Sequence, residues 1–377
     1  MFSSIRRSTP ARILLPALLL LGLLSTLGCT YAPTRGWSGV VVSGDALYVG
    51  TIEGKVVKLT NVSGDRRVGW MKDFKPAKGG SAFACGGRIS AGMATYGTPA
   101  VWGDKIYIGD YQGYLYSFRI DDGSMSEVNL GGAIVGSPLV YQETVFIGNA
   151  DGRFYALDLQ LENKWTFDTE DKIWATAAAD DGLVYIGSAD DTLYALDIAT
   201  GEEIWRFESG GAFLSTPLVV DNTMYIGSCD SMFYALDAAT GEQKWEFEAK
   251  DWFWTQALLY QNEVWVGSLD HRVYVLDAES GDKVWEFETE GRIRTPPVLV
   301  GGQIIVGSED GNVYAIDPSG KTGQVLRSLE MPILAPIYAD SEKGIIYVHA
   351  QNGTHKVYAI EVATGKELWN FPTSSEG

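Results

Sequence analysis

Five aspartates, Asp151, Asp190, Asp230, Asp270 and Asp310, recur 39 or 40 residues apart. Carboxylates at constant spacing raise the chemistry of a bound cation or of acid–base pairs. Their contexts argue otherwise. In "ADG", "ADD" and "EDG" an aspartate at a turn position supports the hairpin by bonding its own backbone. No metal site is expected from them, and His271, His349 and His355 are too few and too scattered for a metal-ligand set. No Ser-His-Asp order, phosphate-cradling glycine loop or spaced carboxylate pair stands out. Beyond Cys29, two cysteines remain, Cys85 and Cys229, with an abundance of aromatic residues. Apolar contact is the chemistry those aromatics offer.

The aspartate spacing belongs to a repeat that runs through the chain. Its marker is the glycine closing an aromatic-rich strand ("LYVG", "IYIG", "VFIG", "VYIG", "MYIG", "VWVG", "IIVG"): Gly50, Gly109, Gly148, Gly187, Gly227, Gly267 and Gly307. An eighth copy, "IYVH", has His349 in that place, and the intervals run 59, 39, 39, 40, 40, 40 and 42. Each copy breaks into four short alternating or β-branched strands, in the fifth "TPLVV", "TMYIGS", "FYALD" and "QKWEFE". Turn-forming residues separate them. One such blade cannot bury both of its faces, whereas a ring covers every face and leaves only short edges. The sequence therefore predicts an all-β fold, an eight-bladed β-propeller of four-stranded antiparallel blades. Copy one starts on its first strand and copy eight ends on its fourth. The ring must then close by packing alone, unless the strand phase is off by one.

Between the third and fourth strands stands a recurring motif: "ALDIATGEEIW", "ALDAATGEQKW", "VLDAESGDKVW" and "AIEVATGKELW". Its glycine suits a positive φ. Trp165, Trp205, Trp245, Trp285 and Trp369 are expected to dock one blade on the next, with Trp70 serving after a longer turn, while copies two and seven lack the tryptophan. The motif resembles the tryptophan-docking repeat of the pyrroloquinoline-quinone (PQQ)-like propellers across residues 37 to 372. That family holds the eight-bladed quinoprotein alcohol dehydrogenases and the non-enzymatic, BamB-type outer-membrane assembly lipoproteins. The resemblance implies the fold and leaves the chemistry open.

Residues 1–28 read as a lipoprotein-type signal peptide, with basic Arg6, Arg7 and Arg12, an apolar run "ILLPALLLLGLL", and "STLGC" ending on Cys29. The run is short for a spanning helix. Cys29 after Gly28 is similar to a bacterial lipobox, although Thr26 stands where leucine is usual. Lipidation at Cys29 is the favoured reading, with a plainly cleaved export signal or an uncleaved anchor as alternatives. Residues 29–36 would be a tether and 37–377 one propeller, monomeric and facing the periplasm or the cell surface. Losing the three leader arginines takes the formal charge from −19 to −22, a field that repels nucleic acid. An exported compartment permits a Cys85–Cys229 disulfide without requiring one.

With strands lettered outward from the axis, the link into the first strand and the second-to-third turn share one face. The long first interval places an inserted loop there, around 71–97, with Lys72, Lys75, Lys78, Arg88 and Cys85. Aligning the copies puts Trp37, Tyr96, Val135, Trp174, Leu214, Trp254, Arg294 and Leu334 at the channel mouth, beside Phe213, Trp252 and Phe253. This surface either accepts a peptide strand, planar ligand or sugar, or merely plugs the channel. Three functions follow. A lipid-anchored, non-enzymatic scaffold that binds an envelope protein or peptide needs no cofactor and fits best. A PQQ-dependent dehydrogenase, which the resemblance also implies, would use calcium and an adjacent cysteine pair absent here; Trp174 or Trp254 would stack on its quinone and Arg294 meet its carboxylates. A small-ligand or carbohydrate sensor would use the aromatic mouth.

Overall fold

The computed structural model describes residues 38–60, 62, 67–74, 94–352 and 354–373. Among them are eight four-stranded sheets, each built from four consecutive antiparallel strands, and no helix. Blade 1 comprises Val40–Ser43, Ala46–Gly50, Lys55–Thr60 and Arg67–Asp73, and blade 8 comprises Tyr338–Asp340, Ile345–Asn352, Thr354–Glu361 and Glu367–Pro372. The strand phase read from the sequence is therefore right, and among the described residues no blade is completed by a strand from the other end of the chain.

Blade 4 shows how composition makes the layers. Its first strand, Ala178–Asp180, is short and half-buried; Leu183–Gly187 and Thr192–Asp197 are almost wholly buried. Those inner strands are covered on both faces and so carry near-continuous apolar runs. The outer strand, Glu203–Glu208, buries Trp205 and turns Glu203, Ile204, Arg206 and Glu208 to solvent. Clusters such as Tyr185, Leu193, Trp205, Phe213, Met224, Ile226 and Tyr234 lie between blades, so the core is a set of seams rather than one central mass.

The Ala, Asp, Thr, Gly and Trp of the repeated motif each have a contact. Ala195 pairs across the strands with Trp205, and Ala235 with Trp245, where a small side chain leaves room for the indole; the register shifts just beyond each pair. The indole then reaches the following blade. Trp205 Nε1 donates to Ala238 O (3.1 Å), Trp245 Nε1 to Ala278 O (3.1 Å) and Trp165 Nε1 to Ile198 O (3.2 Å). In the receiving blade, Asp237 Oδ1 accepts from the amides of Ala239 and Thr240 and from the Thr240 hydroxyl. That bonded turn presents Gly241 at φ 75°, where a Cβ would stand 2.7 Å from the Trp205 ring. Tryptophan and glycine of adjacent copies are thus two halves of one joint.

Blades 2 and 7 lack the tryptophan and use substitutes. In blade 2, Lys105 Nζ donates to Leu159 O of blade 3 at 2.7 Å, beside a Tyr107 Oη bond (3.1 Å) that Tyr185 and Tyr225 also make in tryptophan-bearing blades. In blade 7, Leu326 lies against Gly365 of blade 8, with Arg327 paired to Glu367 at 3.0 Å. The ring closes by the same indole-to-carbonyl bond. Trp369 Nε1 donates to Val62 O at 2.6 Å, and Tyr338 Oη to Val42 O at 3.1 Å.

Two glycines separate backbone strain from joint packing. Gly201 (φ 76°) has the Trp165 ring 2.6 Å from a built Cβ, whereas Gly182 (φ 84°) has open space. Gly182→Ala should cost about 1–2 kcal/mol from left-handed strain, and Gly201→Ala about 1–3 kcal/mol more from overpacking. Urea midpoints of the two variants check this; equal shifts would mean the joint yields freely.

Candidate functional site

The face predicted from the repeat is a shallow aromatic well at one end of the axis. Tyr96, Val135, Trp174, Leu214, Trp254, Arg294 and Leu334 line it above Thr98, Ser137, Thr176, Thr216, Gln256, Pro296 and Pro336. The volume is about 100 Å³. Seven of the eight aligned positions therefore meet; the eighth, Trp37, lies outside the described residues, as do Cys29, Cys85, Arg88 and positions 75–93 of the inserted loop.

Inner edges of neighbouring blades approach closely enough to bond at the well's floor. Thr98 N donates to Ser137 Oγ (2.8 Å), Ser137 N to Thr176 Oγ1 (2.9 Å), and Gln256 Nε2 to Pro217 O (3.1 Å). A Cβ on Gly136 would stand 2.6 Å from Ala175 O of blade 4. The hydroxyls here are in part structural.

Alternation along each link decides what reaches the well. Residues just before the lining positions, Ile134, Ile173, Phe213, Phe253, Ile293 and Ile333, are at most 1% exposed. Each sits on the marker glycine of the preceding strand pair, where any Cβ would collide with it: Phe213 on Gly187, Phe253 on Gly227. Like Phe253, also expected at the mouth, Phe213 is corrected on this ground. It is a plug between blades, also meeting Tyr234 with ring centroids 6.2 Å apart. The residues just after the lining positions complete the seat. Ser215 Oγ donates to Gly227 O (2.8 Å) and accepts from Gly227 N (3.2 Å), and Thr295 does the same for Gly307. The sequence signal existed, since in these six pairs the plug follows its glycine by 25 or 26 residues, but a single copy does not reveal it.

The lining is not uniform. Trp252 is 43% exposed on the face. The Arg294 guanidinium lies 5.1 Å from the Trp254 ring centroid and is ion-paired with Glu309, while Lys172 Nζ is 5.6 Å from Trp174. Such stacking desolvates the rings and holds the cations over them. Tyr96 and Tyr111 are 5.2 Å apart on the opposite rim, and burial raises the pKa of the Tyr96 phenol. Trp174 Nε1 and Thr98 Oγ1 are buried without a hydrogen-bond partner. An indole N–H and a hydroxyl left unpaired at a well are donors offered to whatever enters.

Four of the five turn aspartates are spent internally. Asp190 accepts from Thr192 N (3.0 Å), Tyr194 Oη (2.9 Å) and Glu170 N (2.9 Å), and Asp230, Asp270 and Asp310 repeat the pattern with Tyr234, Tyr274 and Tyr314. Among the described residues, no group of three or more His, Cys, Asp or Glu is placed to hold a metal ion. Among the described residues the well does not fit a calcium-held quinone: that lining contains no carboxylate, and the volume it encloses falls below the roughly 300–1,000 Å³ of small-molecule pockets. Cys229 is half-buried and bonded to no cysteine among the described residues; Cys85 lies outside them, so a Cys85–Cys229 disulfide stays a proposal. Burial, with Asp230, Asp191 and Asp251 nearby, pushes that thiol up to about 12, which removes it as a nucleophile. Iodoacetamide at pH 8 should therefore label Cys229 in the native protein at least about a hundredfold more slowly than in the unfolded chain. Comparable rates, followed by peptide mass spectrometry, would refute this.

The family profile described as outer membrane protein assembly factor BamB matches residues 27–163, 162–252 and 251–377. Among curated proteins, none matches the sequence. Among solved structures, BamB from Moraxella catarrhalis is 20% identical with a TM-score of 0.70, over 84% of this chain and 95% of that one. The computationally designed Ika8 protein is 18% identical with a TM-score of 0.69, over 86% and 96%. A europium-containing methanol dehydrogenase is 14% identical with a TM-score of 0.67, over 86% and 82%. At these identities the likeness is one of fold.

Proposed function

Because this chain belongs to the family of the outer membrane protein assembly factor BamB, we propose that it is a non-enzymatic, extracytoplasmic propeller that binds a protein or peptide through its aromatic mouth. Cys29 would carry the lipid that holds it at the membrane. The observation that carries this reading is the character of the well. It is shallow, at about 100 Å³, and its rim leaves Trp252 43% exposed. Large exposed aromatics are costly to leave in water and are typical anchors of protein interfaces. The space takes one or two side chains rather than a cofactor, and the unpaired Trp174 Nε1 can donate to an extended partner's carbonyl. That same orphan donor favours, as a second reading, a small polar ligand such as a sugar.

A Trp174→Ala/Trp254→Ala variant separates these readings. Crosslinking in native envelopes followed by mass spectrometry should lose the partner at least about tenfold, since interface tryptophans are worth about 2 kcal/mol or more. The melting temperature should change little. Loss of sugar binding with an undiminished protein crosslink would favour the sensor. Dye reduction with an alcohol after supplying PQQ and calcium would overturn the non-enzymatic reading. Cys29→Ser should move the protein from the membrane to the soluble fraction; unchanged membrane retention would contradict lipidation at Cys29.

A further inference from the structure

The marker glycine is absent from one seam only, the one that closes the ring. Seven second strands end on Gly50, Gly109, Gly148, Gly187, Gly227, Gly267 and Gly307; the aligned residue of blade 8 is His349. Its imidazole is 3% exposed. Nδ1 lies 2.7 Å from Ser38 O of blade 1, and Nε2 lies 3.2 Å from Thr373 Oγ1. A carbonyl oxygen can only accept, so Nδ1 carries the proton and Nε2 accepts from the threonine hydroxyl. The amide of Thr373 in turn donates to His355 O at 2.8 Å. One neutral imidazole thus ties the first described residue of the ring to the last.

A second imidazole stands behind it. His355, on the third strand of blade 8, is 5% exposed, with its ring centroid 5.7 Å from that of His349. The charged group facing the pair from blade 1 is Glu53, which acts on His355 and is itself 3.6 Å from Lys55 Nζ. Blade 8 contributes the two histidines to each other. The groups that meet the His349 nitrogens are both neutral. A proton added at Nε2 would leave the Thr373 hydroxyl without its acceptor and place a cation in a buried site, against a second imidazole.

We propose that His349 and His355 form an acid-sensitive latch whose protonation releases the seam between blades 8 and 1 while the other seams stay closed. Both groups have their pKa lowered by burial, His355 to about 4, where His349 lowers it further and Glu53 opposes. The sign follows from linkage. The opened seam binds protons before the closed one does, so the closure is fully present above the ordinary histidine pKa. It is then lost progressively as pH falls from about 6.5 towards the depressed folded values. For one histidine displaced this far, the opening equilibrium rises about twentyfold between pH 7 and pH 5. The latch is independent of what the mouth binds.

Hydrogen exchange tests it, with labelling times corrected for the intrinsic pH dependence of exchange. Between pH 7 and pH 5, peptides from 38–60 and 338–373 should lose about twentyfold in protection relative to peptides from blades 4 to 6. The His349→Gln/His355→Gln variant should lose none of this. If that variant fails to fold, His355→Gln alone should shrink the loss, and the native-state ring signals of His349 in wild-type protein should resist titration through pH 6. Uniform loss around the ring, an unchanged loss in either variant, or free titration of His349 with native signals intact would each overturn the latch.

Discussion

An indole laid on a glycine and bonded to a backbone carbonyl is the contact on which this ring depends. A four-stranded blade of about forty residues has two apolar faces and cannot stand alone. It becomes stable only when each face meets a neighbour. The joint of Trp205 with Gly241 and Ala238 O fixes that meeting at the rim, where the tryptophan supplies area and the N–H supplies direction. Nearer the axis a second joint works in reverse: the incoming plug, such as Phe213, seats on the marker glycine, Gly187. Each blade is held at two radii, and the aspartate turns tie strands to links between them.

This double fixation explains which parts of the molecule the sequence made legible. Repeated constraints leave repeated letters, so blade count, strand order and the docking tryptophans could all be read from the spacing of "ALDxxTGxxxW". The mouth positions followed from simple alignment because six of the seven links into a first strand have the same length, nine residues. Phe213 went astray for a related reason. In a link where side chains alternate, one residue separates a plug under glycine from a lining residue, and an apolar letter suits both. Contacts between copies were harder to see. Nothing within one copy says that its turn glycine receives the previous copy's tryptophan, or that its marker glycine seats the next copy's plug.

The same constraints explain why the fold says little about chemistry. A natural BamB, a designed protein and a methanol dehydrogenase share the architecture at similar TM-scores. Positions fixed by ring closure are therefore common to unrelated functions. Specific behaviour belongs to residues that break the repeat. Here they are the tryptophans and cation-capped rings at the mouth, and His349 at the one seam where a glycine is missing.

Photo-crosslinking from two matched tryptophans tests the central claim that function resides on the mouth face. Trp252 lies on that face and is 43% exposed; Trp102 lies at the opposite end of its blade's first strand and is 39% exposed. A photoreactive residue placed at each in living cells should yield a protein adduct from position 252 and none from position 102. Adducts from position 102 alone, or equally from both, would contradict the account.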